Sequence, residues 1–281
     1  MDLPRHYTIR ESSHRIHNPL TSDKLAALGE ALNPPPGTRM LDLACGTGEM
    51  LCTWAREHQV TGTGVDISTV FIARARDRAA ELGVDGRVSF VHGDASGYVA
   101  GTPAGIAACV GATWIGGGVP GTVQLLRRSL QPGGVMLIGE PYWRLEPPDQ
   151  ATVEGCHAIG SDQFLPLPEL IERFGDLGCD VVEMVLASQD SWDSTGRTTA
   201  GRTRHRARAI RQVPARISRL GCVRPNEPLT SATPWPGLPR LGESQRLRGE
   251  GGELQGLPQR LAGLGRLFGQ AGDPGRLASG V

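Results

Sequence analysis

The sequence has no long hydrophobic run and no hydrophobic leader. None of its 281 residues belongs to an apolar stretch of about 18 residues, the length that a membrane-spanning helix requires. The first ten residues, MDLPRHYTIR, lack the apolar core of a secretory signal. We therefore expect a soluble, cytoplasmic protein with no membrane partner.

Cysteine is sparse and is not arranged for metal binding. The six cysteines lie far apart, with no CxxC pair and no cysteine–histidine cluster at zinc spacing. Together with the lack of an export signal, this spacing disfavours both a disulfide framework and a zinc site. We predict reduced thiols and no metal centre.

Net charge is zero only as the sum of two unlike segments. Residues 1–193 hold 14 Lys and Arg against 24 Asp and Glu, a net charge of −10, whereas residues 194–281 hold 15 against 5, a net charge of +10. The basic segment contains no lysine and two aromatic residues, Trp235 and Phe268. Because it lacks interleaved aromatic residues and any nucleic-acid-reading motif, nucleic-acid binding is disfavoured.

From residue 20 to 187 the chain alternates helical and extended patterns, which predicts an α/β fold with a doubly wound, mainly parallel sheet. Apolar residues recur at helical spacing after Ser22 and after Ser68, and again before Gly178. Six strands are predicted at 39–44, 61–67, 87–92, 105–110, 134–140 and 179–187. We predict one domain over residues 1–193, with residues 1–35 as a helical cap.

The stretch MLDLACGTGEML, residues 40–51, joins a predicted buried strand to a predicted helix through Cys45-Gly46-Thr47-Gly48. Glycine is expected there because a side chain would block the approach of a ligand. The carboxyl end of a first parallel strand is where doubly wound sheets bind nucleotides. Leu51 stands where a dinucleotide fingerprint has its third glycine, and the turn has no lysine for a triphosphate. An anionic cofactor is therefore a poor fit.

Three carboxylates lie at the ends of the first three predicted strands. Asp42 precedes the glycine turn, where it would repel a pyrophosphate but suit a ligand with an ammonium and a sulfonium group. Asp66 is placed to accept hydrogen bonds from both hydroxyls of a ribose. Asp94 is placed to accept one from the exocyclic amine of an adenine. The three together predict a cationic nucleoside ligand.

These motifs resemble those of the class I S-adenosylmethionine-dependent methyltransferases, which have a Rossmann-like fold. LDLACGTG is similar to their first motif, GVDIS to the second and GDA to the third. The resemblance implies S-adenosyl-L-methionine as cofactor, with Ala44 standing where glycine is commonest. It implies cofactor contacts at Asp42, Ala44, Cys45, Gly46, Gly48, Asp66, Ile67, Asp94 and Ala95, with Cys109 close to the methyl group.

Three further stretches resemble stand-alone bacterial methyltransferases: ESSHRIHNP (11–19), CVGATW (109–114) and GEPYW (139–143). This resemblance implies a small-molecule acceptor. The methyl group would pass to it by in-line displacement, in which the enzyme contributes mainly by positioning and desolvating the two partners.

A general base is needed only if the acceptor is a hydroxyl, a thiol or a protonated amine. His14, Glu140 and Tyr142 are the predicted catalytic residues. Three-residue spacing would place His14 and His17 on one side of a helix. A solvated helix face for the histidines and a structural hydrogen bond for Glu140 stay open as alternatives.

The predicted acceptor contacts are His17, Trp114 and Trp143. Trp114, followed by Ile115 and three glycines, is expected to form an aromatic wall with a mobile rim. Core packing is the alternative for both tryptophans, and a small core residue is the favoured interpretation of Cys109.

A methyltransferase sheet of this type ends with an antiparallel seventh strand, which the segment 194–281 would have to supply. No window predicts one well; 220–224 and 264–269 are the best available. Two interpretations stay open: a disordered basic extension, or an unrelated sequence that follows a frameshift near residue 194. The second predicts marginal stability and loss of activity.

Three alternative functions remain beside a methyltransferase. A protein that binds S-adenosylmethionine without catalysis would follow from an unrelated C-terminal sequence. An NAD(P)-dependent oxidoreductase would use the same fold but is disfavoured by Leu51. A nucleic-acid methyltransferase would explain the arginine-rich segment and would bind oligonucleotides with a steep salt dependence.

Overall fold

The computed structural model describes residues 2, 11, 14–156, 158–188, 190–191 and 216–225. All of these residues belong to the unit Met1–Leu238.

A seven-stranded sheet forms the centre of this unit. Its strands are β1 (Arg39–Leu43), β2 (Thr61–Asp66), β3 (Val88–His92), β4 (Ala104–Val110), β5 (Leu130–Trp143), β6 (Cys179–Leu186) and β7 (Arg216–Pro225). Their order across the sheet is β3-β2-β1-β4-β5-β7-β6. The strands from β3 to β5 pair in parallel, and β7 pairs antiparallel with both β5 and β6. The predicted doubly wound, mainly parallel α/β fold is confirmed.

The structure gives bounds for six α-helices: α1 (Ser22–Leu32), α2 (Glu49–Glu57), α3 (Thr69–Glu81), α4 (Val119–Arg127), α5 (Gln150–Gly155) and α6 (Leu167–Asp176). Helix α3 begins as predicted, because the Ser68 hydroxyl accepts a hydrogen bond from the Phe71 amide. Helix α1 is capped by Thr21, whose side chain accepts a hydrogen bond from the Lys24 amide.

The segment 14–20 forms bends rather than a helix, so the helix predicted to carry His14 and His17 is wrong. Asn18 precedes a proline, and the residue before proline is disfavoured in the α conformation. Its side chain also accepts a hydrogen bond from the Leu20 amide, which stabilises a turn at this point.

Strand β7 corrects the expectation that the seventh strand is absent. Its backbone pairs with β5 from Met136 to Trp143 on one side and with β6 on the other. The poor window 220–224 lies inside it. The side-chain pattern failed to predict the strand because a central strand is held by ladder hydrogen bonds on both edges, which almost any residue type can supply. The rest of 194–281, on which the two interpretations of this segment depend, lies outside the described residues.

Burial along the central strands is nearly continuous. In β1 every residue after Arg39 is buried, and in β4 every residue before Val110 is buried. Both faces of the sheet are therefore covered, as in other mainly parallel sheets. None of the helices in the described residues is long and apolar enough to cross a membrane.

The strand order reverses between β1 and β4, because β1 pairs with β2 on one side and with β4 on the other while all three run in parallel. The crevice outside the carboxyl ends of strands at such a switch point is where open α/β sheets bind ligands. The predicted site residues that follow these strands are thus brought to one edge of the sheet.

Candidate functional site

A cavity of about 280 Å³ opens beside the turn that follows β1. Of the ten predicted cofactor contacts, eight line it: Asp42, Ala44, Cys45, Gly46, Asp66, Ile67, Asp94 and Ala95. Two predicted acceptor contacts, His17 and Trp114, line it as well. The structure therefore brings together most of the site that the sequence predicts.

The glycines of the turn are required by the protein's own packing. Gly46 and Gly48 have positive φ values of 55° and 69°. A Cβ atom on Gly46 would lie 2.8 Å from Nδ1 of His17, and one on Gly48 would lie 2.7 Å from two ring carbons of Phe90. The sequence suggests that glycine leaves this space for a ligand, but in the structure His17 and Phe90 fill it.

Ala44 also has a positive φ, 57°, although it is not glycine. An L-residue in this left-handed region pays about 1–2 kcal/mol in steric strain. The turn thus holds a strained residue at the mouth of β1, at the position where the resemblance led us to expect glycine.

Asp66, at the end of β2, ties two loops together. Its Oδ2 accepts a hydrogen bond of 2.9 Å from the Gly46 amide, and its Oδ1 accepts one of 2.8 Å from the Ser68 amide. Burial raises the pKa of the carboxyl group, and these two hydrogen bonds oppose that rise. Each carboxylate oxygen can accept more than one hydrogen bond, so a ribose hydroxyl can still bind here.

Asp42 is the least satisfied carboxylate of the site. Its residue is 3% exposed, and no hydrogen-bond donor of the described residues pairs with its side chain. Burial, with a further contribution from Asp66, raises the pKa of Asp42 to about 8. A buried carboxylate without a partner is unfavourable. A cation bound beside Asp42 would supply the missing partner.

Asp94 differs from the other two carboxylates because it is exposed. Its Oδ1 accepts a hydrogen bond of 2.8 Å from the Ser96 amide and so caps a short 3₁₀ turn, Ala95–Gly97. The backbone hydrogen bond from Ser96 lowers the pKa of Asp94, so this carboxylate is ionised. We call Asp42, Asp66 and Asp94 the carboxylate side of the cavity.

Another part of the cavity lining carries no charge. It consists of residues at and after the end of β4, which we call the uncharged side: Val110, Gly111, Ala112, Trp114 and Ile115. Trp114 is 69% exposed, so little packing holds its ring. Trp114, which was predicted to form an aromatic wall, thus lines the cavity.

The segment 14–20 covers the glycine turn. The Thr47 hydroxyl donates a hydrogen bond to the Arg15 carbonyl. The Arg15 guanidinium lies 3.6 Å from Glu49 and 3.3 Å from Glu81. Glu49 in turn accepts two hydrogen bonds from Arg78, of 2.8 and 2.9 Å. This chain of contacts fastens the N-terminal segment to α2 and α3.

Within this segment, the His17 ring lies against the glycine turn at Gly46. Its ring packs on Phe71 with a centroid distance of 4.3 Å. Burial lowers the pKa of His17 to about 4, so the imidazole is neutral at physiological pH. His14 does not line the cavity; its Nδ1 lies 3.0 Å from a Glu11 carboxylate oxygen.

Glu140 and Tyr142, two of the predicted catalytic residues, lie away from the cavity lining. The sequence suggested that Glu140 ends its strand, but β5 continues to Trp143 because β7 pairs with it along this stretch. Glu140 is buried and accepts a hydrogen bond from the Thr113 hydroxyl. Tyr142 is buried in the main core. The catalytic roles predicted for both residues stay predictions.

Trp143, Cys109 and Gly48 also lie outside the lining. Trp143 belongs to a second small core after β5, where its indole NH donates a 2.7 Å hydrogen bond to the Ser161 carbonyl. Cys109 is fully buried, and burial raises the pKa of its thiol to about 12. Gly48 is the N-cap of α2. For Trp143 and Cys109 the geometry favours the core-packing interpretation.

Sequence reasoning missed several lining residues, among them Arg15, Thr47, Glu49, Phe71 and Val110. Thr47 lies within the quoted glycine turn and could have been included. Phe71 and Val110 carry no local signal, because an apolar side chain at a cavity wall has the same pattern as one in the core.

The lining residues fit S-adenosylmethionine. The unpartnered carboxylate of Asp42 suits its ammonium or sulfonium charge, and Asp66 and Asp94 offer acceptors for hydroxyl and amine groups. The fit rests on Asp42, because an ammonium or sulfonium group bound beside it would neutralise the charge of a carboxylate that is otherwise costly to bury.

Comparison with known proteins agrees with this geometry. The sequence model of a methyltransferase-domain family matches residues 40–134. The protein YjhP of Escherichia coli K12, itself uncharacterised, is 58% identical over 193 residues, which are 69% of this chain and 78% of YjhP. A 27-O-demethylrifamycin SV methyltransferase of Amycolatopsis mediterranei is 38% identical over 88 residues, 31% of this chain and 29% of that protein.

Among solved structures, a SAM-dependent methyltransferase from Geobacter sulfurreducens in complex with S-adenosylhomocysteine is 52% identical, with a TM-score of 0.73. The match covers 80% of this chain and 99% of that one. Fold, cavity and relatives therefore agree on the cofactor, S-adenosyl-L-methionine. This chain belongs to the S-adenosylmethionine-dependent methyltransferases.

Proposed function

We propose that the protein transfers a methyl group from S-adenosylmethionine to a small-molecule acceptor by in-line displacement. The observation that carries this proposal is that one cavity has a carboxylate side and, facing the same space, an uncharged side. Charge is lost when a sulfonium gives up its methyl group, so an uncharged wall beside the reacting atoms does not oppose the reaction.

The two sides have separate tasks in this proposal. Asp42, Asp66 and Asp94 bind and orient the cofactor, which when bound supplies an electrophilic methyl group on a sulfonium. Trp114 and Ile115 bind and desolvate the acceptor. Positioning of this kind is the main contribution that a protein makes to a displacement that needs no metal or covalent intermediate.

His17 acts as a wall of the site and not as a general base. A base with a pKa of about 4 has little tendency to take a proton at neutral pH. We therefore propose that His17 contacts a ligand through a neutral ring. The acceptor atom would then be one that needs no deprotonation by His17, such as a neutral amine or an acidic phenol or thiol.

The small-molecule class is supported by one named relative. The matching part of the 27-O-demethylrifamycin SV methyltransferase covers less than a third of each chain, so the support extends to the class and not to the compound. The cavity volume of about 280 Å³ is close to the lower end of the range that small-molecule sites occupy.

The test uses methyl-labelled S-adenosylmethionine and the full chain. Panels of neutral aromatic amines, phenols and thiols are incubated beside a panel of peptides and a panel of oligonucleotides, with Asp42→Asn as the matched control. We expect label transfer to a member of the first panels, with inversion of a chiral methyl group. Transfer to the macromolecules alone would contradict the small-molecule class. Tight cofactor binding without any transfer would favour a catalytically inactive binding protein.

A further inference from the structure

A buried carboxylate lies just behind the uncharged side of the cavity. Glu140 on β5 is 6% exposed and does not line the cavity. Apolar side chains surround it on the side of α6, including Leu170 and Phe174. Its Oε2 accepts a hydrogen bond from the hydroxyl of Thr113.

Burying a carboxylate in such surroundings costs free energy unless the carboxylate is hydrogen-bonded. The hydrogen bond from Thr113 is therefore important for Glu140. Burial raises the pKa of Glu140 to about 7, and the hydrogen bond from Thr113 opposes this rise. The charge of Glu140 helps to raise the pKa of the Cys109 thiol on β4, and the backbone of Glu140 is paired in register with that of Arg219 on β7.

Thr113 connects several parts of the loop after β4. Its hydroxyl reaches Glu140, and its carbonyl accepts hydrogen bonds from the Thr122 hydroxyl at 2.9 Å and from the Gly118 amide at 3.0 Å. The short turn Thr113–Gly116 is therefore held against both β5 and α4.

The same turn carries the wall of the cavity. Trp114 and Ile115 follow Thr113 directly and line the uncharged side. Because Trp114 is 69% exposed, its position depends on the backbone that carries it more than on contacts of its ring. A displacement of the backbone at Thr113 would therefore also move Trp114, the next residue, which lines the cavity.

We propose that Glu140 is a positioning residue: through the Thr113 hydroxyl it fixes the turn Thr113–Gly116 and so holds Trp114 at the acceptor side of the cavity. The proposal rests on the proposed function, since it assumes that the uncharged side receives the acceptor. It replaces a catalytic role for Glu140 with an action through Thr113, because the carboxylate does not reach the cavity.

The hydrogen bond is strongest when Glu140 is ionised, since an ionised acceptor strengthens it and a protonated carboxyl gives up part of its acceptor capacity. Trp114 should therefore be held more firmly as the pH rises through about 7.

The experiment measures the local motion of Trp114 by time-resolved fluorescence anisotropy in the full chain. Subtraction of the signal of a Trp114→Phe variant assigns the motion to this residue. The variants are Thr113→Val, which has nearly the same shape but no donor, Thr113→Ser, which keeps the hydroxyl, and Glu140→Gln, which keeps an acceptor oxygen but cannot titrate. Affinity for S-adenosylhomocysteine is measured in parallel by calorimetry.

We expect the amplitude of the fast motion to increase about twofold in Thr113→Val and to stay at the wild-type value in Thr113→Ser. In the wild type it should fall as the pH rises from 6 to 8, and in Glu140→Gln it should not change. Affinity for S-adenosylhomocysteine should stay within about twofold of the wild type, because the carboxylate side is untouched.

Equal motion in Thr113→Val and the wild type would overturn the proposal. If Thr113→Val does not fold, the pH series decides alone: the same pH dependence in Glu140→Gln and the wild type would overturn it. None of these measurements uses methyl transfer, so failure of the proposed function and failure of this inference give different results.

Discussion

The two sides of the cavity differ in how they are built and in what they can recognise. On the carboxylate side, each carboxylate lies at or near the carboxyl end of a strand, and Asp66 accepts hydrogen bonds of 2.9 and 2.8 Å from the backbone amides of Gly46 and Ser68. On the uncharged side, apolar and glycine residues line the cavity, and Glu140, which accepts a hydrogen bond from Thr113, does not line it. In the function proposed above, charge selects the cofactor, whereas shape and apolar contact select the acceptor.

The largest effect should follow from Gly48→Ala, which disturbs the turn that supports the carboxylate side. Residue 48 has a φ of 69°, which strains alanine, and the new Cβ atom would overlap the Phe90 ring. We therefore expect a loss of about 2–4 kcal/mol in the free energy of unfolding. Gly83→Ala is the matched control, because Gly83 has a φ of 65° but nothing near its Cβ position. Chemical denaturation measures both, and equal losses would contradict the overlap argument.

Asp42→Asn should remove the charge selection. We expect affinity for S-adenosylmethionine to fall at least about tenfold, or ~1.4 kcal/mol. Asp94→Asn should cause a smaller loss of affinity, because the carboxylate that it removes is exposed. In the wild type, affinity should rise from pH 6 to 8, since the carboxyl of Asp42, with a pKa of about 8, must lose its proton to pair with a cation. Titration calorimetry at each pH measures this, and a parallel pH dependence in Asp42→Asn would refute it.

The same residue affects stability with the opposite sign. The pKa of Asp42 in the folded, ligand-free protein lies above its ordinary value of 3.8, so the folded state binds the proton more tightly than the unfolded state. The contribution of this group to the free energy of unfolding should therefore fall as the pH rises from about 4 through 8. Asp42→Asn should flatten that part of the pH profile, which urea unfolding at several pH values would show.

Ala44→Gly should give a small stabilisation. It relieves a positive φ of 57°, but glycine also gives the unfolded chain more freedom, so the expected net gain is about 0.5 kcal/mol. Thermal melting of the two proteins measures it. A clear loss of stability would mean that Ala44 makes contacts that outweigh its strain.

Trp114→Ala, on the uncharged side, should have the smallest effect on stability and on cofactor binding. Because the ring is 69% exposed, the variant should melt close to the wild type and bind S-adenosylhomocysteine with unchanged affinity. Its effect should be confined to methyl transfer. A loss of cofactor affinity would show that the two sides do not act separately.

The parts of the site that the sequence predicted are those whose residues are local in the chain. Asp42, Gly46 and Gly48 lie within seven residues of one another, and Asp66 ends the next strand, so a motif reveals them. The fold followed from the same alternation of helix and strand signals.

The parts that it did not predict depend on contacts between distant residues. Thr113 and Glu140 are 27 residues apart, and nothing in either neighbourhood indicates that one binds the other. Strand β7 is defined by its two neighbours rather than by its side chains. The contact between the tilted rings of His17 and Phe71 also joins residues that are far apart in the chain, so the spacing of His14 and His17 does not reveal it.

The most direct test is a calorimetric titration of S-adenosylmethionine into the full wild-type chain and into the Asp42→Asn and Trp114→Ala variants. We predict binding to the wild type, at least about tenfold weaker binding to Asp42→Asn, and unchanged binding to Trp114→Ala. Equal affinities for the wild type and Asp42→Asn, or weak binding by Trp114→Ala alone, would contradict the division of the cavity into a side that selects by charge and a side that selects by shape.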